Sequence, residues 1–134
     1  MSYEERRTWI YAAIAAMVPA VYAVIMLGRL ADAGAAEISY AQPLLVAIGA
    51  GMVANFLAGM LIGAPDRRDE RDVGIFRHGT QAGYFVLAAG AAGVLALTLA
   101  EAAHFWIANA LYLAFILDAL VSSAVKIVAY RRGF

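Results

Sequence analysis

Asp118 is the residue most able to do chemistry in this chain, because it lies within a run of 25 otherwise mostly apolar residues from Phe105 to Ala129. A carboxylate at that depth in a bilayer costs several kcal/mol, on the order of 3 or more, unless it is neutralised, paired or hydrated. It therefore reads either as a proton or ligand site or as a group that fixes helix packing. Lys126 follows eight residues later, which a helical rise of about 1.5 Å per residue converts to about 12 Å, too far for a direct ion pair.

Asp118 also belongs to a pattern. Ala110, Ala114, Asp118, Ser122 and Lys126 recur at four-residue spacing, so they form one ridge of small and polar side chains on a helix. Ala47, Gly51, Asn55, Gly59 and Gly63 repeat the same spacing in an earlier apolar run, and ridges of this kind let helix backbones approach closely. Counted from the charged ends of their runs, Asn55 and Asp118 lie at equal depth. The expectation is a shared polar site of Asp118, Asn55 and Ser122, with Tyr22 or Tyr84 joining. Burial would favour the protonated carboxyl there.

A third small-residue face comprises Gly79 and Gly83, then Gly90 and Gly93. It serves either packing within one chain or a homodimer seam. With Gly51, Gly59 and Gly63, these glycines complete the expected helix-packing set.

The remaining polar groups are less specific. Asp66, Arg67, Arg68, Asp69, Glu70, Arg71 and Asp72 interleave acids and bases, as a solvated helical stem does, with Arg67 to Glu70 and Arg68 to Asp72 in pairing register. The interleaved arginines argue against a cation site there. His78 and His104 lie at opposite ends of one span and cannot share a metal. The chain has no Cys, which excludes disulfides and thiolate chemistry. There is no Walker loop, dinucleotide fingerprint, paired His motif or nucleophile elbow, so no catalytic residue, cofactor or metal site is assigned and the chain is read as non-enzymatic. Direct nucleic-acid binding is not expected.

The elements that position these residues follow from composition. The hydrophobic share is 64% and the mean hydropathy +0.75, against about 45–50% apolar residues in soluble domains. Runs over 8–28, 41–63, 79–100 and 105–129 each match the roughly 20 residues that cross a hydrocarbon core of about 30 Å. The fold expected is all-α, a single domain over 1–134 forming a four-helix transmembrane bundle with a stem over 66–78. The first run exceeds the roughly 7–15 residues of a signal-peptide core and is read as retained. Pro19 bends the first helix, Pro43 opens the second, and Pro65 with Asp66 opens the stem, which runs on into the third span.

Orientation follows from basic residues, which concentrate on the cytoplasmic side. Arg6, Arg7, Arg67, Arg68, Arg71, Arg77, Lys126, Arg131 and Arg132 fall at one set of helix ends and only Arg29 at the other, which places both termini in the cytoplasm. Tyr3, Trp9, Tyr11 and Tyr130 mark that headgroup level, and Tyr40, Phe105 and Trp106 the opposite one. The short link from Glu101 to His104 makes the last two spans antiparallel neighbours.

The opening residues Met1 to Tyr11, the loop Asp69-Glu70-Arg71-Asp72-Val73-Gly74-Ile75, the stretch His104 to Tyr112 and the ending Lys126 to Phe134 together resemble an uncharacterised family of small actinobacterial four-helix integral membrane proteins, a domain of unknown function. The loop also resembles that of a wider group encoded beside small helix-turn-helix regulators. The resemblance implies a multi-pass protein of the bacterial plasma membrane and carries over no catalytic residue. The first functional expectation is a sensor or interaction partner of a cytoplasmic regulator, acting through the stem from Asp66 to His78. Small multidrug exporters are similar only in having four short helices, since their coupling carboxylate lies in the first helix and this chain has none there. Asp118 would have to replace it in a small proton-coupled transporter, the second functional expectation.

Overall fold

The computed structural model describes residues 1–34, 37–63, 67 and 69–133. Four helices account for nearly all of them: α1 (Tyr3–Asp32), α2 (Ala41–Ile62), α3 (Glu70–Leu99) and α4 (His104–Arg132). All four are long and apolar enough to cross a membrane. At about 1.5 Å per residue, α2 just matches a core of about 30 Å, while the other three overhang it. The charged flanks Glu4 to Arg7 and Arg29 to Asp32 remain helical in α1, so its observed ends lie beyond the apolar run.

Local chemistry explains the helix ends. Ser2 caps α1, its hydroxyl accepting from the Glu5 amide at 3.1 Å. Pro43 sits in the first turn of α2, where no intrahelical donor is needed. The stem begins later than expected: Arg67 and Asp69 are not helical, and α3 starts at Glu70 under a capping box in which Asp69 and Asp72 satisfy each other's backbone ends. The expected opening at Pro65 and Asp66, and the Arg68 to Asp72 pair, lie outside the described residues. Since Arg67 precedes the helix, its expected pairing with Glu70 loses the helical geometry it required.

The stem does run uninterrupted into the third span. At its far end α3 closes in a Schellman motif, the Ala102 amide donating to Leu97 O at 3.0 Å and the Glu101 amide to Thr98 O at 3.1 Å. Glu101 takes the left-handed conformation there, with φ of 54°. This turn folds α4 back along α3.

The principal packing pairs are α3 with α4, α4 with α1, and α1 with α2. The helices thus follow one another across the molecule as α2, α1, α4, α3. At the end remote from the termini a small core joins Tyr22 and Met26 of α1, Ile38, Ala47 of α2 and Phe105 of α4. Elsewhere large apolar side chains point outward, among them Leu61 at 87% and Leu99 at 76% exposure. Water would penalise such a continuous apolar surface, whereas lipid tails are its natural solvent.

Candidate functional site

Asp118 lies in the seam between α3 and α4. Its Oδ1 occupies the space a side chain at Gly83 would take, and its own carbonyl would be 2.9 Å from a Cβ built there. Ser122, buried, lies against the same glycine, and Lys126 crosses Gly79 one turn further on. Toward the other end, Ala114 Cβ would be 2.6 Å from a Cβ at Gly90. The α4 ridge therefore meets the α3 glycines in antiparallel register. Facing residues lie at nearly equal chain distances on either side of the Glu101 turn, so that turn sets which residues meet.

The ammonium of Lys126 sits 4.3 Å from the centroid of the Phe76 ring on α3. This is a cation–π contact at the level where lysine can also reach headgroups. Asp118, Glu4 and Arg7 are the charged groups whose fields act on it.

Asn55 does not join this site. Its Nδ2 donates to Gly51 O on its own helix at 2.9 Å, and its buried Oδ1 has no hydrogen-bond partner among the described residues. Asn55 and Asp118 match in depth along their helix axes, but the ridges of α2 and α4 face different neighbours. With α1 packed between the outer layers, Asp118 turns to the glycines of α3, which allow closer approach. At Gly51 and Gly59 the position a Cβ would take is open, with no atom of a neighbouring helix within 4 Å, and Gly63 ends α2 with φ of 87°. The third glycine face behaves otherwise over most of its length: Gly79 and Gly83 are buried and Gly90 is partly buried, all three covered by α4, whereas Gly93 is exposed and has no neighbouring atom within 4 Å of where a Cβ would stand.

Nor do the two tyrosines reach Asp118. Tyr84 is exposed beside Phe85, at 6.2 Å between ring centroids. The Tyr22 hydroxyl donates instead to Asn109 Oδ1 at 2.6 Å, while Asn109 Nδ2 donates to Phe105 O at 2.8 Å. Tyr112 stacks edge-on against Tyr22 at 5.4 Å. Asn109 is neither charged nor on the four-residue ridge, so neither sequence signal points to it. The comparison of depths applied to Asn55 would have matched Asn109 with Tyr22, since each lies about one to two turns from the same membrane face.

At the termini end, α3 and α4 are braced together. Arg71 Nη2 donates to Tyr130 O at 3.4 Å, and the Tyr130 hydroxyl donates to Asp72 Oδ1 at 3.1 Å. Arg131 sits over the Trp9 ring at 5.3 Å, tying the end of α4 to the start of α1. Glu70, Arg71 and Arg77 remain exposed, as do Arg131 and Arg132. His78 is exposed, and His104 opens α4 at the opposite end.

Two grooves flank α1. The larger, about 810 Å³, runs between α1, α2 and α4 and includes Asn55, Gly51 and Gly59, with Arg7 as its charged residue. The smaller, about 510 Å³, lies on the other side between α1 and α4 and is lined almost wholly by apolar groups around Tyr22 and Asn109. Asp118 lines neither.

Together these features define a multi-pass, all-α membrane protein with four spanning helices, a glycine-based seam and a braced polar end. Comparison with protein-family models, with curated proteins and with solved structures finds no match for the chain.

Proposed function

We propose that this chain is a non-enzymatic protein of the bacterial plasma membrane, with both termini in the cytoplasm, that presents the paired ends of α3 and α4 to a cytoplasmic protein partner. The observation that carries this reading is the brace from Arg71 and Asp72 to Tyr130, which couples two helix ends into one polar projection. A free helix end would have to be ordered on binding, at a cost in affinity, whereas a pre-braced one need not be. The exposed arginines 71, 77, 131 and 132 supply charge for recognition, and their position on the termini side supports the orientation. The likeness of the Asp69 to Asp72 loop to proteins encoded beside small regulators supports a regulator as the partner.

Affinity capture with the intact protein, compared with an Arg67→Ala, Arg71→Ala, Arg77→Ala variant of preserved helicity, tests this. At least one cytoplasmic protein should be retained by the first and lost, by about tenfold or more, with the second, the loss that about 1.4 kcal/mol of binding free energy produces. If every captured protein is retained equally, the stem is not a docking element.

The transporter reading has less support. Asp118 lies over the Gly83 backbone and borders neither groove, so its position suits helix pairing. Asp118→Asn should leave proton-linked flux into vesicles unchanged and keep the fold; loss of flux with the fold intact would restore the transport reading.

A further inference from the structure

The larger groove is an amphiphile-shaped space. Along α2 it extends from Leu44 to Ile62, about 27 Å at 1.5 Å per residue, close to the roughly 30 Å of a hydrocarbon core. Apolar side chains such as Phe56 and Phe115 form its walls, while the absence of side chains at Gly51 and Gly59 leaves room along the α2 backbone. Its volume, about 810 Å³, falls within the roughly 300–1,000 Å³ of small-molecule sites. Polarity is unevenly distributed. Arg7 stands at the termini end, Asn55 is part-way along, and the remote end has no charged residue among the described residues that line it.

We propose that this groove binds an anionic phospholipid of the leaflet facing the termini, its phosphate against Arg7 and an acyl chain along Gly51 and Gly59. Charge complementarity selects this occupant. A cation at the termini mouth of an apolar channel calls for an anion at that mouth and hydrocarbon along the adjoining half, about 15 Å, which one phospholipid of that leaflet supplies. A second copy inserted with the same orientation and packing the same groove face would bring its own Arg7 to that mouth, placing like charges together. The site does not depend on the stem having a protein partner.

The test uses the full chain in phosphatidylcholine vesicles containing equal mole fractions of chain-brominated phosphatidylglycerol or chain-brominated phosphatidylcholine. A reporter is introduced by Phe56→Trp, with Trp9→Phe and Trp106→Phe removing the native indoles, and a second reporter by Phe115→Trp guards against local misfolding of the first. At both positions the brominated anionic lipid should be preferred about fivefold, the ratio that about 1 kcal/mol from one basic residue yields. Arg7→Gln should abolish the preference. Arg6→Gln, which alters a charge outside the groove lining, should retain it.

A preference that survives Arg7→Gln, or that Arg6→Gln removes equally, would reduce the effect to general surface attraction and overturn the site. Absence of any preference at both reporters would do the same. Reporters shielded from both lipids, with a Phe56→Cys variant crosslinking to itself, would assign the groove to a second copy instead.

Discussion

Gly83 and Gly51 stand in ridges of similar spacing on helices of similar hydropathy, yet Gly83 is buried beneath Asp118 and Gly51 faces open space. The α3–α4 seam closes along its length because a Schellman turn brings two antiparallel ridges together in register. The α1–α2 side is secured mainly at the end remote from the termini, by the cluster around Tyr22 and Phe105, and leaves a groove that runs from beside that cluster to the termini end. Small residues therefore permit close helix approach without bringing it about. A second face must be delivered in register.

Overpacking the seam should break this contrast most sharply. Gly83→Leu forces a side chain into Asp118 and its backbone, so α3 and α4 must separate, at a cost of about 3 kcal/mol, the upper part of the range for overpacked cores. Gly51→Leu should stay within about 0.5 kcal/mol, as substitutions away from packed features do. Thermal or denaturant unfolding in the same detergent compares them, and equal losses would mean that the α2 ridge is packed after all.

A smaller effect is expected at the polar tie on the open side. Tyr22→Phe removes the donor to Asn109 Oδ1 and should destabilise by about 1 kcal/mol, as interhelical hydrogen bonds in membranes do. Amide exchange should then quicken in α1 and α2 while α3 remains protected. Loss of protection spread evenly over all four helices would show that the two sides unfold as one unit.

The smallest effect, a gain, belongs to the turn that sets the seam's register. Glu101→Gly relieves a left-handed conformation that costs an L-residue about 1–2 kcal/mol, offset in part by the entropy of glycine, for a net gain of about 0.5 kcal/mol. A modest rise in the unfolding midpoint is the expected reading. A fall would indicate that the Glu101 side chain itself contributes to the turn.

Much of the architecture is legible in the chain. The long apolar runs locate all four spans, Pro43 marks the start of α2, and the short link after Ala100 foretells the α3–α4 hairpin, because hydrophobic length and local backbone chemistry act without reference to distant residues. The candidate site is half legible. Asp118, Ser122 and the α3 glycines stand out in the sequence, but their grouping does not, and the amide of Asn55, expected at Asp118, turns back to Gly51. Depth along a helix can be counted from sequence, while azimuth depends on which neighbour each helix finds.

Asp118 marks the division. Its sequence context alone determined that it is an ionisable group on a small-residue ridge within a membrane span, since apolar length and periodicity are properties of one helix. Only tertiary structure decided that its partner is the bare backbone at Gly83 and that the matching ridge of α2 stays open beside Arg7. Among several small-residue faces of comparable chemistry, helix order and turn geometry selected the pair that meets.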